Sequence, residues 1–258
     1  SNCDKARPQP TGIRHQIMSE NRITWSKLLS DLSAQDLRRV LRAVDSPSGP
    51  YVTMAGRRLT CFCSNNYLGL ANHPEIKAAA KAAVDRWGWG AGASRLVCGH
   101  TTAHEMLEAR LSAFKGTEAA LVCPTGYQAN LAAIRGLAGK DDVILLDKLN
   151  HASIIDAALA SGVVVRIFPH RNYDRLEELL IRTASARRRL IITDTVFSMD
   201  GDFADLAKLV ELKTRYNALL CIDEAHATGI FGTHGHGLAE HAGVEHQIED
   251  QAVDLGGI

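Results

Sequence analysis

The sequence predicts an α/β fold, a mostly parallel sheet flanked by helices on both faces. Short runs rich in Val, Ile and Leu recur along the chain, and amphipathic segments of helical period separate them. Strands buried on both faces read as continuous apolar runs, whereas a half-exposed antiparallel strand would alternate apolar with polar. The 258 residues, 46% of them apolar, suffice for one large domain of this kind with a shorter segment attached.

The elements follow in chain order. Residues 1–10 are polar and irregular and show no signal-peptide pattern. Residues 31–44 read as a short amphipathic helix carrying Arg38, Arg39 and Arg42. Residues 45–50 form a turn-rich break, and 51–62 a small hairpin turning at Ala55 and Gly56. Residues 65–72 are a loop. A helix begins at His73 and Pro74, because proline suits a first helical turn, and runs to about Trp87. Strands are expected at 119–123, 143–146, 163–168, 190–193 and 219–222, with helices near 127–137, 152–160, 173–183 and 206–216. The expected division is an N-terminal segment over 1–62 and a large domain over 63–258. Residues 254–258 stop where a further strand is due, so the chain reads as cut.

Composition excludes several function classes. Basic and acidic residues balance at 29 against 29, which leaves no electrostatic footprint for nucleic acid. The basic cluster from Arg182 to Arg189 reads as a solvated helix end. No apolar run reaches the length of a membrane span. The cysteines (Cys3, Cys61, Cys63, Cys98, Cys123, Cys221) show no CxxC spacing, which points to a reducing cytoplasm without a disulfide framework. His234, His236, His241 and His246 do not match the spacing of a zincin helix, so no metal is expected. The acidic residues from Asp194 to Asp202 lack the closing Glu of a calcium loop.

The motif with the most chemistry is Asp223 followed by His226, at the end of the apolar run 219–222. In an open α/β sheet ligands sit at the carboxyl ends of strands. A carboxylate there can pair with a cationic ring nitrogen, and an imidazole one turn later can reach a neighbouring ring oxygen. That is the arrangement a pyridoxal phosphate enzyme needs beneath its pyridinium ring. Residues 123–130 open a helix, and amides at a helix N-terminus, unobstructed at Gly126, can hold a phosphate. His151 lies just after another strand and can stack on an aromatic cofactor; an ordinary loop histidine is the alternative. Gly88, Gly90 and Gly92 imitate a dinucleotide fingerprint, but a helix precedes them, so a loop shaping a site or a dimer contact is the better reading.

Taken in order, these motifs resemble the α-oxoamine synthases, pyridoxal phosphate enzymes of fold type I. The resemblance rests on Ser64 to Leu70, Gly92 to Arg95, Pro124 to Asn130, Asn150 to Ser153, Val196 to Asp202 and Asp223 to Gly229. It implies the large domain of a fold type I transferase, with the C-terminal small domain missing. Gly126 and Tyr127 would bind the phosphate, and His151 would stack on the ring. Asp223 would pair with the ring nitrogen, and Ser198 and His226 would hold the 3′ oxygen. Asn65 would hold the substrate carboxylate, with His151 beside the substrate, and Arg38 is a looser match to a substrate-binding arginine. The branch it most resembles condenses L-alanine with a pimeloyl thioester of CoA or of an acyl carrier protein, with decarboxylation, in biotin synthesis. A glycine C-acetyltransferase, or a non-catalytic relative that only binds the cofactor or dimerises, is the alternative. A cytoplasmic homodimer is implied, with no nucleic acid and no membrane partner. One departure stands out: the family pattern continues into a Thr-x-x-Lys segment bearing the Schiff-base lysine, and here no lysine follows Lys213. The expectation is that this chain alone does not complete the reaction.

Overall fold

A computed structural model describes residues 24–248 and 250–252. The first helix, α1, is Trp25–Ala34, shorter and earlier than the expected 31–44. Asp36 adopts a positive φ of 55°, and the amides of Asp36 and Leu37 turn back to the carbonyls of Ser33 and Leu32. That is a Schellman closure with aspartate in the place usually held by glycine. Arg38, Arg39 and Arg42 therefore lie in exposed, non-helical chain. Strands β1 (Tyr51–Met54) and β2 (Arg57–Thr60) form the expected antiparallel hairpin, with Ala55 and Gly56 at positive φ in the turn. Helix α2 (Pro74–Trp87) starts at the expected proline.

Two features differ from expectation. Thr102–Lys115 forms a helix, α3, that the apolar pattern does not announce. Its boundaries do have local signals: a capping box between Thr101 and His104, and Gly116 in the left-handed conformation after its last residue. Residues 119–123 do not form a strand. The Val122 amide donates to Glu108 Oε1 at 2.8 Å and its carbonyl accepts from Arg95 Nη1 at 2.9 Å, so side chains satisfy the backbone that a neighbouring strand would otherwise bond.

The main sheet alternates with helices as expected. Its order in sequence is α4 (Gly126–Leu137), β3 (Val143–Asp147), α5 (Ala152–Ala160), β4 (Val164–Phe168), α6 (Tyr173–Arg182), β5 (Arg189–Asp194), α7 (Leu206–Arg215) and β6 (Leu219–Asp223). A short helix α8 (Leu238–His241) and a strand β7 (Asp250–Ala252) follow. All strand pairs are parallel, and the spatial order is β4-β3-β5-β6-β7.

The pleat divides the core between two faces. Val143, Leu145, Ile191, Leu220 and Ile222 pack with α6 and α7 through Leu176, Leu180, Leu209 and Leu212. Ile144, Leu146, Leu190, Ile192 and Cys221 pack with α4 and α5 through Ile134, Ile154, Ala157 and Ala158. The unbroken apolar runs reflect this double burial. Each such side chain contributes on the order of 1.5–3 kcal/mol through removal from water.

The order of strands reverses direction at β3, whose neighbours β4 and β5 lie on opposite sides. The crevice outside the carboxyl ends of β3 and β5 is the place where open α/β sheets bind ligands. Asn150 closes the sheet there. Its amide donates to the Ile192 carbonyl at 2.8 Å, and its carbonyl oxygen accepts from the Asp194 amide at 3.3 Å. Replacing Asn150 with alanine leaves two buried backbone groups without partners. We expect Asn150→Ala to lower unfolding stability by about 1–3 kcal/mol, read as a shift of the denaturant midpoint with an unchanged m-value.

Candidate active site

A cleft of about 130 Å³ opens at this crevice, lined by Asn65, Gly126, Tyr127, Asn130, His151, Ser153, Asp194, Asp223, Ala225 and His226. Its size is of the order of the ~150 Å³ cavity that accepts a benzene ring. Each contributor arrives on a different piece of the fold. Asp194 and Asp223 end β5 and β6 and are paired in register, so two carboxylates sit side by side. Gly126 and Tyr127 open α4, and His151 and Ser153 begin α5. Asn65 comes from the loop before α2, and His226 from the turn after β6.

Hydrogen bonds fix the floor. Asn130 donates through Nδ2 to Asp223 Oδ2 at 2.8 Å and to Ser153 Oγ at 2.9 Å. Ser153 Oγ lies 2.7 Å from His151 Nδ1, and the Ser153 amide also points at Nδ1, at 3.3 Å. Nδ1 is therefore the acceptor, which assigns the neutral ring's proton to Nε2. The other oxygen of Asp223 accepts the Ala225 amide at 2.9 Å. His151 donates its backbone N–H to Asp194 Oδ2 at 2.7 Å. His226 Nδ1 and the Tyr67 hydroxyl are 2.8 Å apart.

At the N-terminus of α4, the Thr125 side chain accepts the Gln128 amide at 3.1 Å, and the Thr125 carbonyl accepts the Ala129 amide at 3.0 Å. The Gly126 and Tyr127 amides, as the first two of the helix, have no intrahelical acceptor. Both residues line the cleft, and amides at such a helix start suit an anion. The Tyr127 ring turns aside, its hydroxyl donating to Asp156 at 3.1 Å.

The cleft is electrostatically lopsided. Asp194 and Asp223 are both buried, at 6% and 8% exposure, and among the described residues no lysine or arginine lines the cleft with them. Burial first, and then the neighbouring Asp223 charge, raise the Asp194 pKa to about 7, against a smaller lowering by the His151 amide.

The sequence-predicted residues divide into two groups. Gly126, Tyr127, His151, Asp223, His226 and Asn65 converge on the cleft. Ser198 does not line it. It is exposed, at the tip of a loop closed by the Val196–Phe203 bridge and by Asp202, which His170 and Arg171 hold. Arg38 is exposed and does not line it either. Asn130, Ser153 and Asp194 are the members that sequence reading missed. Asn130 and Ser153 stand inside the quoted motifs, and Asp194 ends an expected strand as Asp223 does, which was the available signal.

Among the histidines of the 234–246 segment, His236 gathers with Glu240 and Glu245, with ligand atoms within 4.8 Å of one another. Glu240 is already engaged. Although burial opposes its charge, the amides of His236 and His234 and the His234 ring bring its pKa down to about 2. It acts as the clamp of the 232–237 loop.

The chain is similar to known proteins over most of its length. The family model for aminotransferase class I and II matches residues 57–254. The 8-amino-7-oxononanoate synthase of Geobacter sulfurreducens is 50% identical over 228 residues, covering 88% of this chain and 58% of that protein. A serine palmitoyltransferase of S. paucimobilis with bound PLP superposes with a TM-score of 0.79 at 30% identity, over 93% of this chain and 59% of that one. An 8-amino-7-oxononanoate synthase from Francisella tularensis gives 0.60 at 28% identity, over 71% and 50%. The chain thus spans somewhat under two thirds of the length of the relatives it matches.

The Asp194 pKa has a consequence for stability. A carboxyl group whose folded pKa is raised binds its proton more tightly in the folded state. Its contribution is complete below the unfolded value of 3.8 and is lost as pH rises to about 7. We expect the stability of the chain to carry a downward slope of up to about 1.4 kcal/mol per pH unit across that window from this group. Asp194→Asn should flatten it and raise the melting temperature at neutral pH. Melting curves at half-unit pH steps for both proteins make the comparison.

Proposed function

The chain belongs to the class I and II aminotransferase family, and on that premise we propose that it forms the cofactor-holding part of a pyridoxal phosphate-dependent acyltransferase. By similarity to the 8-amino-7-oxononanoate synthases, the proposed reaction condenses L-alanine with a pimeloyl thioester, of CoA or of a carrier protein, with loss of CO2, in biotin synthesis. The observation that carries the reading is the pair of buried carboxylates, Asp194 and Asp223, facing a ring-sized cleft that has a helix N-terminus suited to an anion and, among the described residues, no lysine or arginine. A group with a cationic ring and a phosphate complements each of these features.

When bound, pyridoxal phosphate supplies the electron sink that stabilises negative charge on the α-carbon of an amino acid. The protein's own residues tune and hold it. Asp223 would keep a proton on the ring nitrogen. Opposite charges about 4 Å apart attract by roughly 4 kcal/mol at an effective dielectric of about 20. At ~1.4 kcal/mol per unit this raises the nitrogen's pKa by up to about 3 units before desolvation is subtracted. Asn130 and the Ala225 amide orient that carboxylate. The Gly126 and Tyr127 amides would hold the phosphate, His151 would cover the ring, and His226 with Tyr67 would meet the 3′ oxygen. Asn65 is placed for the substrate carboxylate. Arg38 and Ser198 enter on the sequence pattern alone.

The wider reading is a cytoplasmic homodimer with the unit boundary kept at residue 62. Cys61, Cys63, Cys98 and Cys123 are free thiols, which supports a reducing compartment, and no helix among the described residues is long and apolar enough to cross a membrane. Exposed Trp25, Leu29, Leu96 and Val97 offer apolar surface for a second subunit.

Titrating the chain with pyridoxal phosphate, followed by absorbance, should give saturable one-to-one binding. Asp223→Asn should weaken it about tenfold or more, about 1.4 kcal/mol, and lower the pH at which the bound ring loses its proton. An unchanged titration in the variant removes Asp223 from the site. For the reaction, CO2 release from L-alanine with pimeloyl-CoA or pimeloyl carrier protein, against glycine with acetyl-CoA, on a protein carrying this chain at the length of its relatives, decides the substrates.

A further inference from the structure

Behind the site turn lies a buried ion pair that binding of the cofactor does not use. Lys115, the last residue of α3, is 8% exposed and Glu224, next to Asp223, is 0% exposed. Lys115 Nζ donates to Glu224 Oε2 at 2.8 Å and also to the His236 carbonyl. The other oxygen, Glu224 Oε1, accepts the Ala239 amide of α8 at 3.0 Å. Gly237 has a φ of +121°, and a Cβ there would stand 2.0 Å from Glu224 Oε2. Only glycine leaves room for the carboxylate, so two separate segments, the end of α3 and residues 236–239, are shaped around this one side chain.

From these contacts we infer that the Lys115–Glu224 pair is a positioning device for the cofactor site. Glu224 and Asp223 are consecutive, one reaching α3 and α8, the other lining the cleft. The Glu224 carbonyl accepts the amides of Ala227 and Thr228, both at 2.9 Å, and so closes the turn that carries His226. Anchoring the Glu224 side chain fixes the rotation of this turn. It therefore fixes the direction of Asp223 on one side and of His226, with its Tyr67 partner, on the other. Stability alone is a poor reason for such a pair. Neutral replacement of a buried ion pair is often harmless or stabilising, whereas removal of one partner strands a charge. Placement of the site turn gives the pair a role that neutral residues do not reproduce. The link to the cofactor rests on the function proposed above; the effect on the turn does not.

The test uses Lys115→Met and the double variant Lys115→Met/Glu224→Gln, in the whole chain. Amide hydrogen exchange is measured without cofactor, followed by a pyridoxal phosphate titration. The double variant carries no stranded charge and should melt near the parent. It should still show faster exchange at Ala225 to Gly229, with β5 unchanged, and cofactor affinity lower on the order of tenfold, the size of effect outer partners have on the groups they hold. A double variant with parent-like protection of the turn and parent-like affinity overturns the inference and leaves a merely structural pair. If Lys115→Met alone unfolds, the double variant decides. If the parent itself fails to bind pyridoxal phosphate, the functional reading fails, and exchange at the turn still decides the positioning role.

Discussion

The parallel pairing of β5 with β6 is the constraint on which the rest of the site depends. It places Asp194 directly beside Asp223. Two carboxylates at neighbouring strand ends repel each other, and burial makes the repulsion costly. The protein accommodates them with donors and with a raised proton affinity at Asp194. Asn130 and the Ala225 amide serve Asp223, the His151 amide serves Asp194, and the Asp194 pKa rises to about 7.

The donors are not interchangeable surface groups. Asn130 is 3% exposed and comes from α4, whose first turn lies at the same cleft. One helix thus contributes twice to the cleft, with its first two residues at the lining and a side chain one turn further in that holds the Asp223 carboxylate. Ser153 ties this asparagine to His151, so the His151 ring and the Asp223 carboxylate belong to one hydrogen-bonded unit.

Much of this was legible in the sequence, for identifiable reasons. The strands at 143–147, 189–194 and 219–223 were visible because double burial demands unbroken apolar runs, and the largely exposed edge strand at 164–168 because its β-branched and aromatic residues favour a strand. Gly126, His151, Asp223 and His226 were visible because strand ends and helix starts are where such a fold places ligands. The misreadings also have causes. The helix expected over 31–44 ends at Ala34 because Asp36 takes a left-handed conformation normally signalled by glycine. Residues 119–123 looked like a strand, yet their polar partners are the side chains of Glu108 and Arg95, which no local pattern reveals.

The sequence by itself determined the alternation of strand and helix, the strand-end carboxylate, the helix start at Gly126 and the family to which these belong. Periodicity and turn chemistry are local, so they survive in one dimension. Only the tertiary structure decided that Asp194 stands beside Asp223, that Asn130 joins Asp223 to Ser153, and that Lys115 reaches Glu224 from 109 positions away. It also left Ser198 and Arg38 outside the cleft. These depend on register and on packing between distant segments, where the choice of partner follows from three-dimensional proximity.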